Sequence, residues 1–397
     1  MTYGHDSIYL DHAATTPTDP AVVEAMLPFF AQHFGNPSSI YRLGQEARAA
    51  LDRARSQVAS VLGAAPSEII FTSGATESNN LALRGVAWAA RLRTPREPAP
   101  HIIVSAVEHH AVLHPADALE RQGFQVTRVR CDAHGRVDPA DVEAAIRPET
   151  CLISVMYANN EVGTIQPVAS IGAVARRHGI PFHTDAVQAA GVLPLAVDTL
   201  NVDLLSLSAH KFYGPKGVGI LYVRKQTPIE FQQEGGGQES GRRGGTENVP
   251  LIVGLAEALR RAEANRERYN AFCRALRDRL WEGIRTRIDD VALNGPPLDE
   301  SRLPNNLNVT IRGVQGETVL LSLDMNGVAA SAGSACTTGN SEPSHVLLAS
   351  GLDESAARAS LRFSVGRGNS EAEIDEAVDV LADTVQRVRM LSHLEPV

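Results

Sequence analysis

Three lysines stand among the 37 basic residues of this chain, and all three, Lys211, Lys216 and Lys225, fall within fifteen positions of one another. The other 34 are arginines, which do most surface work of lysine but keep their proton. A lysine retained against such a bias is a candidate for work as an amine. Lys211 follows the apolar run Leu204 to Leu207 within Ser206-Leu207-Ser208-Ala209-His210-Lys211. That run reads as a strand, so the amine sits at a sheet edge, where a desolvated lysine can form a Schiff base. Lys216, after Gly214-Pro215, reads as an exposed turn residue.

Other stretches carry complementary chemistry. In Phe71-Thr72-Ser73-Gly74-Ala75-Thr76-Glu77-Ser78 a strand gives way to a helix, whose free backbone N–H groups and neighbouring hydroxyls suit a phosphate dianion. A plain N-cap by Thr76 is the alternative. In His183-Thr184-Asp185-Ala186-Val187-Gln188 a carboxylate at a strand end could keep a pyridine nitrogen protonated, and Gln188 could donate to a ring oxygen; as a lone carboxylate Asp185 would be a helix cap. A phosphate site, an acid and a lysine nucleophile at strand ends are what a pyridoxal phosphate enzyme requires.

Two further residues carry chemistry of their own. Cys336 lies among small residues in Ser331-Ala332-Gly333-Ser334-Ala335-Cys336-Thr337-Thr338-Gly339, a composition that implies a mobile loop and an accessible sulfur. Cys131, Cys151 and Cys273 sit in strand or helix patterns and read as inert small hydrophobes. Alternation in Ser360-Leu361-Arg362-Phe363-Ser364 puts Arg362 on the face opposite Leu361 and Phe363; there it could grip a carboxylate with two parallel hydrogen bonds or be a solvated surface charge. His110 and His114 have i, i+4 spacing, but no further ligand at a recognisable spacing completes a metal site. Dinucleotide, P-loop, G-x-S-x-G and H-E-x-x-H signatures do not occur.

These groups need a frame. At 397 residues the chain suggests more than one domain, and 43% hydrophobic with 21% charged residues fits a soluble globular protein without a membrane span. A net charge of -9 disfavours direct nucleic acid binding. The first ten residues have neither a basic stretch nor a long apolar core, so a cytoplasmic location is expected. Between residues 45 and 265, seven apolar strands alternate with helical stretches such as Gln45 to Leu62 and Glu77 to Leu92, which predicts an α/β fold with a mainly parallel sheet. Arg91 to Pro100 reads as an exposed loop, and Leu251 to Ile288 as one long helical stretch holding the domain boundary. Beyond it come strands at Asn306 to Ile311 and Leu361 to Val365 and a helix at Glu371 to Met390. The division expected is a large domain at 20–265 and a smaller α/β domain from 1–19 with 266–397.

Taken together, the motifs resemble the cysteine desulfurases of the NifS/IscS type, in the class V aminotransferase group of fold-type-I pyridoxal phosphate enzymes. The likeness is carried by Tyr9-Leu10-Asp11-His12-Ala13-Ala14-Thr15-Thr16, Gly35-Asn36-Pro37-Ser38-Ser39, Thr72 to Asn80, Glu108-His109-His110, Asn159-Asn160-Glu161-Val162-Gly163, His183 to Gln188, Ser208 to Gly217, Gly244-Gly245-Thr246-Glu247-Asn248 and Gly333 to Cys336. The resemblance implies a seven-stranded sheet, with Lys211 as the Schiff-base lysine and His109 stacked on the cofactor ring and assisting proton transfer. It pairs Asp185 with the pyridine nitrogen and Gln188 with the ring hydroxyl. It gives the phosphate to Ala75, Thr76, Ser208 and His210, with Thr246 reaching in from the second subunit of a homodimer. Asn160 and Arg362, with Asn36, orient cofactor and substrate carboxylate.

L-cysteine would then lose its sulfur to Cys336 as a persulfide and leave as alanine. The sulfur would pass to an acceptor protein for iron-sulfur cluster assembly or tRNA thiolation. Ala332, where the family pattern has serine, is a departure in the loop. Two other readings stay open: a different pyridoxal phosphate reaction that uses Lys211 without Cys336, and a non-catalytic scaffold that keeps the fold.

Overall fold

The computed structural model describes residues 7–93, 98–332 and 342–392. Thirteen strands occur in them: β1 (Ile8–Tyr9), β2 (Ile69–Thr72), β3 (His101–Ser105), β4 (Gln125–Val129), β5 (Thr150–Ser154), β6 (Phe182–Asp185), β7 (Leu204–Ser208), β8 (Gly219–Val223), β9 (Val291–Leu293), β10 (Asn306–Ile311), β11 (Val328–Ala329), β12 (Ser331–Ala332) and β13 (Ser360–Ser364).

Seven of them form the central sheet, in the order β2-β8-β7-β6-β5-β3-β4. The five from β7 to β4 are parallel, whereas β8 runs antiparallel to both neighbours, so the expected mainly parallel sheet is present. Thr72 and Ser208 both register with Gly219, the first residue of β8. The chain therefore brings the end of β2 and the end of β7 to one edge.

Strand alternation builds the core. Ile69, Phe71, Ile103, Ile153 and Ile220 face one layer, and Ile70, Ile102, Val104, Leu152 and Leu221 face the other. Both layers are buried under helices, which is why these strands read as continuous apolar runs. Each such side chain contributes roughly 1.5–3 kcal/mol by leaving water. The helix Arg42–Leu62 covers the first layer and ends at Gly63, whose φ of 66° is the left-handed conformation that stops a helix. The helix Ala75–Arg93 covers the second.

A second core forms around the antiparallel sheet β12-β13-β10-β9, between the helices Arg266–Arg287 and Glu371–Ser392. Ile8 and Leu10 belong to this core, so the first described residues pack with the last third of the chain.

Two expectations need correction. Arg91 to Arg93 are helical, not loop, and the Arg91 guanidinium lies 5.4 Å from the centroid of the Phe124 ring, a contact with a residue 33 positions on. Residues 94–97 of that expected loop lie outside the described residues. The stretch Leu251 to Ile288 is two helices, Val249–Ala264 and Arg266–Arg287, broken at Asn265, whose ψ of 7° leaves the helical range and whose side-chain amide donates to Arg261 O.

Candidate active site

A cavity of about 620 Å³ opens at the strand ends, and most of the residues singled out in the sequence line it. Ala75, Thr76, Ser208 and His210 lie on its wall beside Lys211, with His109, Asn160, Asp185, Gln188 and Arg362 around the remainder. Lys216 is exposed, as its turn suggested, and also reaches this wall.

Lys211 ends a short 3-10 turn that follows β7 directly. Its amine donates to Ala13 O at 2.6 Å and Ala14 O at 2.7 Å. The same segment accepts Gln188 Nε2 at Ala13 O, pairs Thr15 Oγ1 with His210 Nδ1, and receives Tyr213 N–H at Thr16 Oγ1. Residues 13–16 are thus a hub for the lysine turn. In this structure the Gln188 amide is tied to that hub.

Asp185 ends β6 and is buried. Oδ1 accepts Val187 N–H at 3.0 Å, which closes a turn and caps no helix because residues 187–192 are turn, and Oδ2 accepts Asn79 Nδ2 at 2.7 Å. Burial raises its pKa, while Val187, Asn79 and the charge of Lys211 oppose that shift. Asn79 was visible within the stretch Thr72 to Asn80 without a role.

Ala75 begins the helix, so the first-turn amides of Ala75, Thr76 and Glu77 lack intrahelical acceptors. Glu77 would repel an anion here, but Arg243 pairs with it at 2.9 Å and Ser73 N–H donates to it at 2.8 Å. Gly74 has φ +154°, and a Cβ there would come to 3.7 Å from Ser208 Oγ, so the two strand ends meet closely.

His109 caps the helix His110–Arg121: its Nδ1 accepts Ala111 N–H at 3.0 Å. A backbone N–H only donates, so Nδ1 carries the lone pair and Nε2 carries the proton. Burial and the charge of Lys211 push its pKa down to about 4. The preceding residue, Glu108, is fully buried; Oε1 accepts Ser105 Oγ at 2.5 Å and Met156 N–H at 2.8 Å, and Oε2 has no partner among the described residues. Burial pushes the Glu108 carboxyl up to about 8.

Arg362 is only 1% exposed, not a solvated surface charge. It donates to Asp11 Oδ1 at 2.8 Å and Asn160 O at 3.0 Å, and its buried Nε has no partner among the described residues. Asp11 was visible in the motif without a role. Asn36 and Thr246 are exposed and do not line the cavity of this single chain. Cys336 lies outside the described residues. Burial pushes the Cys151 and Cys273 thiols up to about 12 and raises Cys131 by less, in line with their inert reading. Among the described residues no group of three His, Cys, Asp or Glu is arranged to hold a metal ion, and no helix is long and apolar enough to cross a membrane.

A lysine amine, a buried carboxylate, first-turn amides beside two strand ends, and a buried guanidinium with a spare N–H fit a ligand that combines an aldehyde, a ring nitrogen and a phosphate, together with an amino acid carboxylate. Residues 8–377 match the Aminotransferase class-V family model, and the chain belongs to that family, whose members of this type depend on pyridoxal 5'-phosphate. Within it the chain falls in the cysteine desulfurase group of NifS and IscS proteins. It is 50% identical to cysteine desulfurase IscS of Methanosarcina thermophila over 390 residues, 98% of this chain and 95% of that one. IscS of Clostridium botulinum is 48% identical over 387 residues, covering 98% and 96%. Of solved structures, a NifS-like protein superposes with a TM-score of 0.89 at 38% identity, covering 96% of this chain and 100% of that chain. SspA in complex with cysteine gives 0.79 at 41%, covering 91% and 99%.

Proposed function

We propose that this enzyme removes the sulfur of L-cysteine, releasing L-alanine and leaving a persulfide on Cys336. The observation that carries the reading is the convergence of Lys211, Asp185 and Arg362 on one cavity.

Ala75, Thr76, Ser208 and His210 would hold the cofactor phosphate, Asp185 the ring nitrogen, Gln188 the ring hydroxyl and Lys211 the aldehyde carbon, with His109 covering the ring. When bound, pyridoxal phosphate supplies an electron sink that acidifies the α-proton of an amino acid and loosens its β-carbon to sulfur bond. Arg362, steadied by Asp11 and Asn160 O, orients the substrate carboxylate through its remaining N–H groups. Lys211, displaced from its anchor, takes the α-proton on Nζ. The Cys336 thiolate then bonds to the substrate sulfur as the carbon to sulfur bond breaks.

A homodimer fits this reading. Phe30, Phe34, Ile40 and Tyr41 are exposed, the last two at 90% and 59%, an apolar stretch that a monomer would leave in water. Asn36 lies inside it, and Phe29 at its start packs with Val249, three residues from Thr246. A second copy covering that stretch would bring Asn36 and Thr246 to a neighbouring cavity. A division into a large domain at 20–265 and a small one from 1–19 with 266–397 is part of this reading, supported by one core that runs from Val22 to Ala262 and another that joins Ile8 and Leu10 to residues 273–388. We place the enzyme in the cytoplasm, with an iron-sulfur scaffold or another sulfur-acceptor protein as partner.

The test is a single turnover. Protein loaded with pyridoxal phosphate and given L-cysteine should yield alanine and bound sulfane sulfur in equal amounts, and Cys336→Ser neither above background. Equal alanine from both proteins would overturn the assignment.

A further inference from the structure

We propose that His345 is the proton acceptor for the α-ammonium group of the incoming amino acid. The inference rests on the desulfurase reading above and assigns a step that precedes any bonding of the substrate. An amino acid arrives with its nitrogen protonated and must lose that proton before the nitrogen can act as a nucleophile.

The bases on the cavity wall are largely committed. His109 spends its Nδ1 lone pair on Ala111 N–H, and His210 Nδ1 is engaged with the Thr15 hydroxyl. Glu77 is paired with Arg243, both oxygens of Asp185 accept hydrogen bonds, and Lys211 donates to two carbonyls. His345 differs. It lines the same cavity, and its Nε2 lies 2.9 Å from Glu108 O, a carbonyl that can only accept. Nε2 therefore carries the proton and Nδ1 the lone pair, with no hydrogen-bond partner for Nδ1 among the described residues. His109 and His345 are the same tautomer with opposite atoms tied to backbone: the backbone takes the lone pair of His109 and the N–H of His345.

The surroundings bear on both the uptake of the proton and its release. Lys211, Lys216 and Arg362 on the wall disfavour an added ammonium charge. The titratable groups facing His345 are His110, with ring centroids 4.7 Å apart, then His109 and His114, and through Ser344 the buried Glu161. Burial lowers the pKa of His345, the Glu108 carbonyl opposes that shift, and the neighbouring rings add to it, so the ring is neutral at pH 7 and returns a captured proton readily. In the step an N–H bond of the ammonium breaks, its electron pair stays on the substrate nitrogen, and a new N–H bond forms on Nδ1. The imidazolium then passes that proton to solvent. His110 also lines the wall, but no hydrogen bond among the described residues fixes its tautomer.

His345→Gln keeps a donor for Glu108 O and removes the base. We expect kcat/KM for L-cysteine to fall about 100-fold at pH 7, within the range for loss of a general base, and the deficit to shrink as pH rises and the substrate amine deprotonates by itself. Long-range 1H–15N spectra of the cofactor-free protein should show the His345 proton on Nε2. A pH profile for His345→Gln that superposes on wild type, a proton on Nδ1, or the full loss reproduced by His110→Gln instead would each overturn the proposal while the desulfurase reading stands. Wild type that makes no alanine from L-cysteine would overturn both.

Discussion

The side-chain amide of Asn79 donates to Oδ2 of Asp185 at 2.7 Å, and both residues are buried. The bond joins the first turns of the helix Ala75–Arg93 to the end of β6 and helps keep a desolvated carboxylate charged. Asn79→Leu should weaken cofactor binding about tenfold or more, the usual cost of removing a hydrogen bond to a charged group. Titrating the cofactor-free protein with pyridoxal phosphate at pH 7 measures this directly. Unchanged affinity would mean that Asp185 does not depend on Asn79.

Arg362 makes a second testable pair with Asp11. Arg362→Lys keeps the charge but loses the planar fork, so KM for L-cysteine should rise more than about tenfold with a smaller change in kcat. Asp11→Asn should raise KM less, because the guanidinium stays and is only less firmly oriented. Steady-state kinetics on both variants separates the effects.

Glu108 gives a pH prediction. Its folded pKa of about 8 lies above the ordinary value of 4.5, so its contribution is fully present below pH 4.5 and is lost as pH rises through 8. Glu108→Gln copies the neutral acid and has no such loss. Urea unfolding at pH 5, 6.5 and 8 should show wild type losing at least about 1 kcal/mol relative to the variant across that window.

The cysteines give a fourth. At pH 8 iodoacetamide should leave Cys151 and Cys273 unmodified in native protein, because burial holds both thiols near pKa 12. Cys336→Ser should remove the fastest-reacting thiol, and mass spectrometry of tryptic peptides assigns each site.

What the sequence disclosed, and what it hid, divides along physical lines. Strand ends announce themselves, because an apolar run that stops at small or polar residues is a local signal; Ser73 to Thr76, Asp185 and Lys211 were readable for that reason. Partnerships between distant segments leave no such trace. Asp11 and Arg362 are 351 positions apart, Asn79 and Asp185 106, and His345 meets Glu108 across 237. The roles of Asn36 and of a second subunit's Thr246 came from the resemblance alone, and both residues are exposed in this chain, away from the cavity wall. Helix ends shifted where tertiary contacts prolonged them, as Arg91 over Phe124 did.

The reversed strand β8 also sets a length. Because Gly219 registers with Thr72 on one side and Ser208 on the other, the ends of β2 and β7 stand two strand spacings apart, roughly 10 Å. The sheet works as a caliper whose jaws are β2 and β7. A Cβ on Gly219 would lie 2.7 Å from Gly74 Cα, so even alanine there would pry the jaws open and make the pocket misjudge the size of its guest without altering the chemistry of any group that touches that guest.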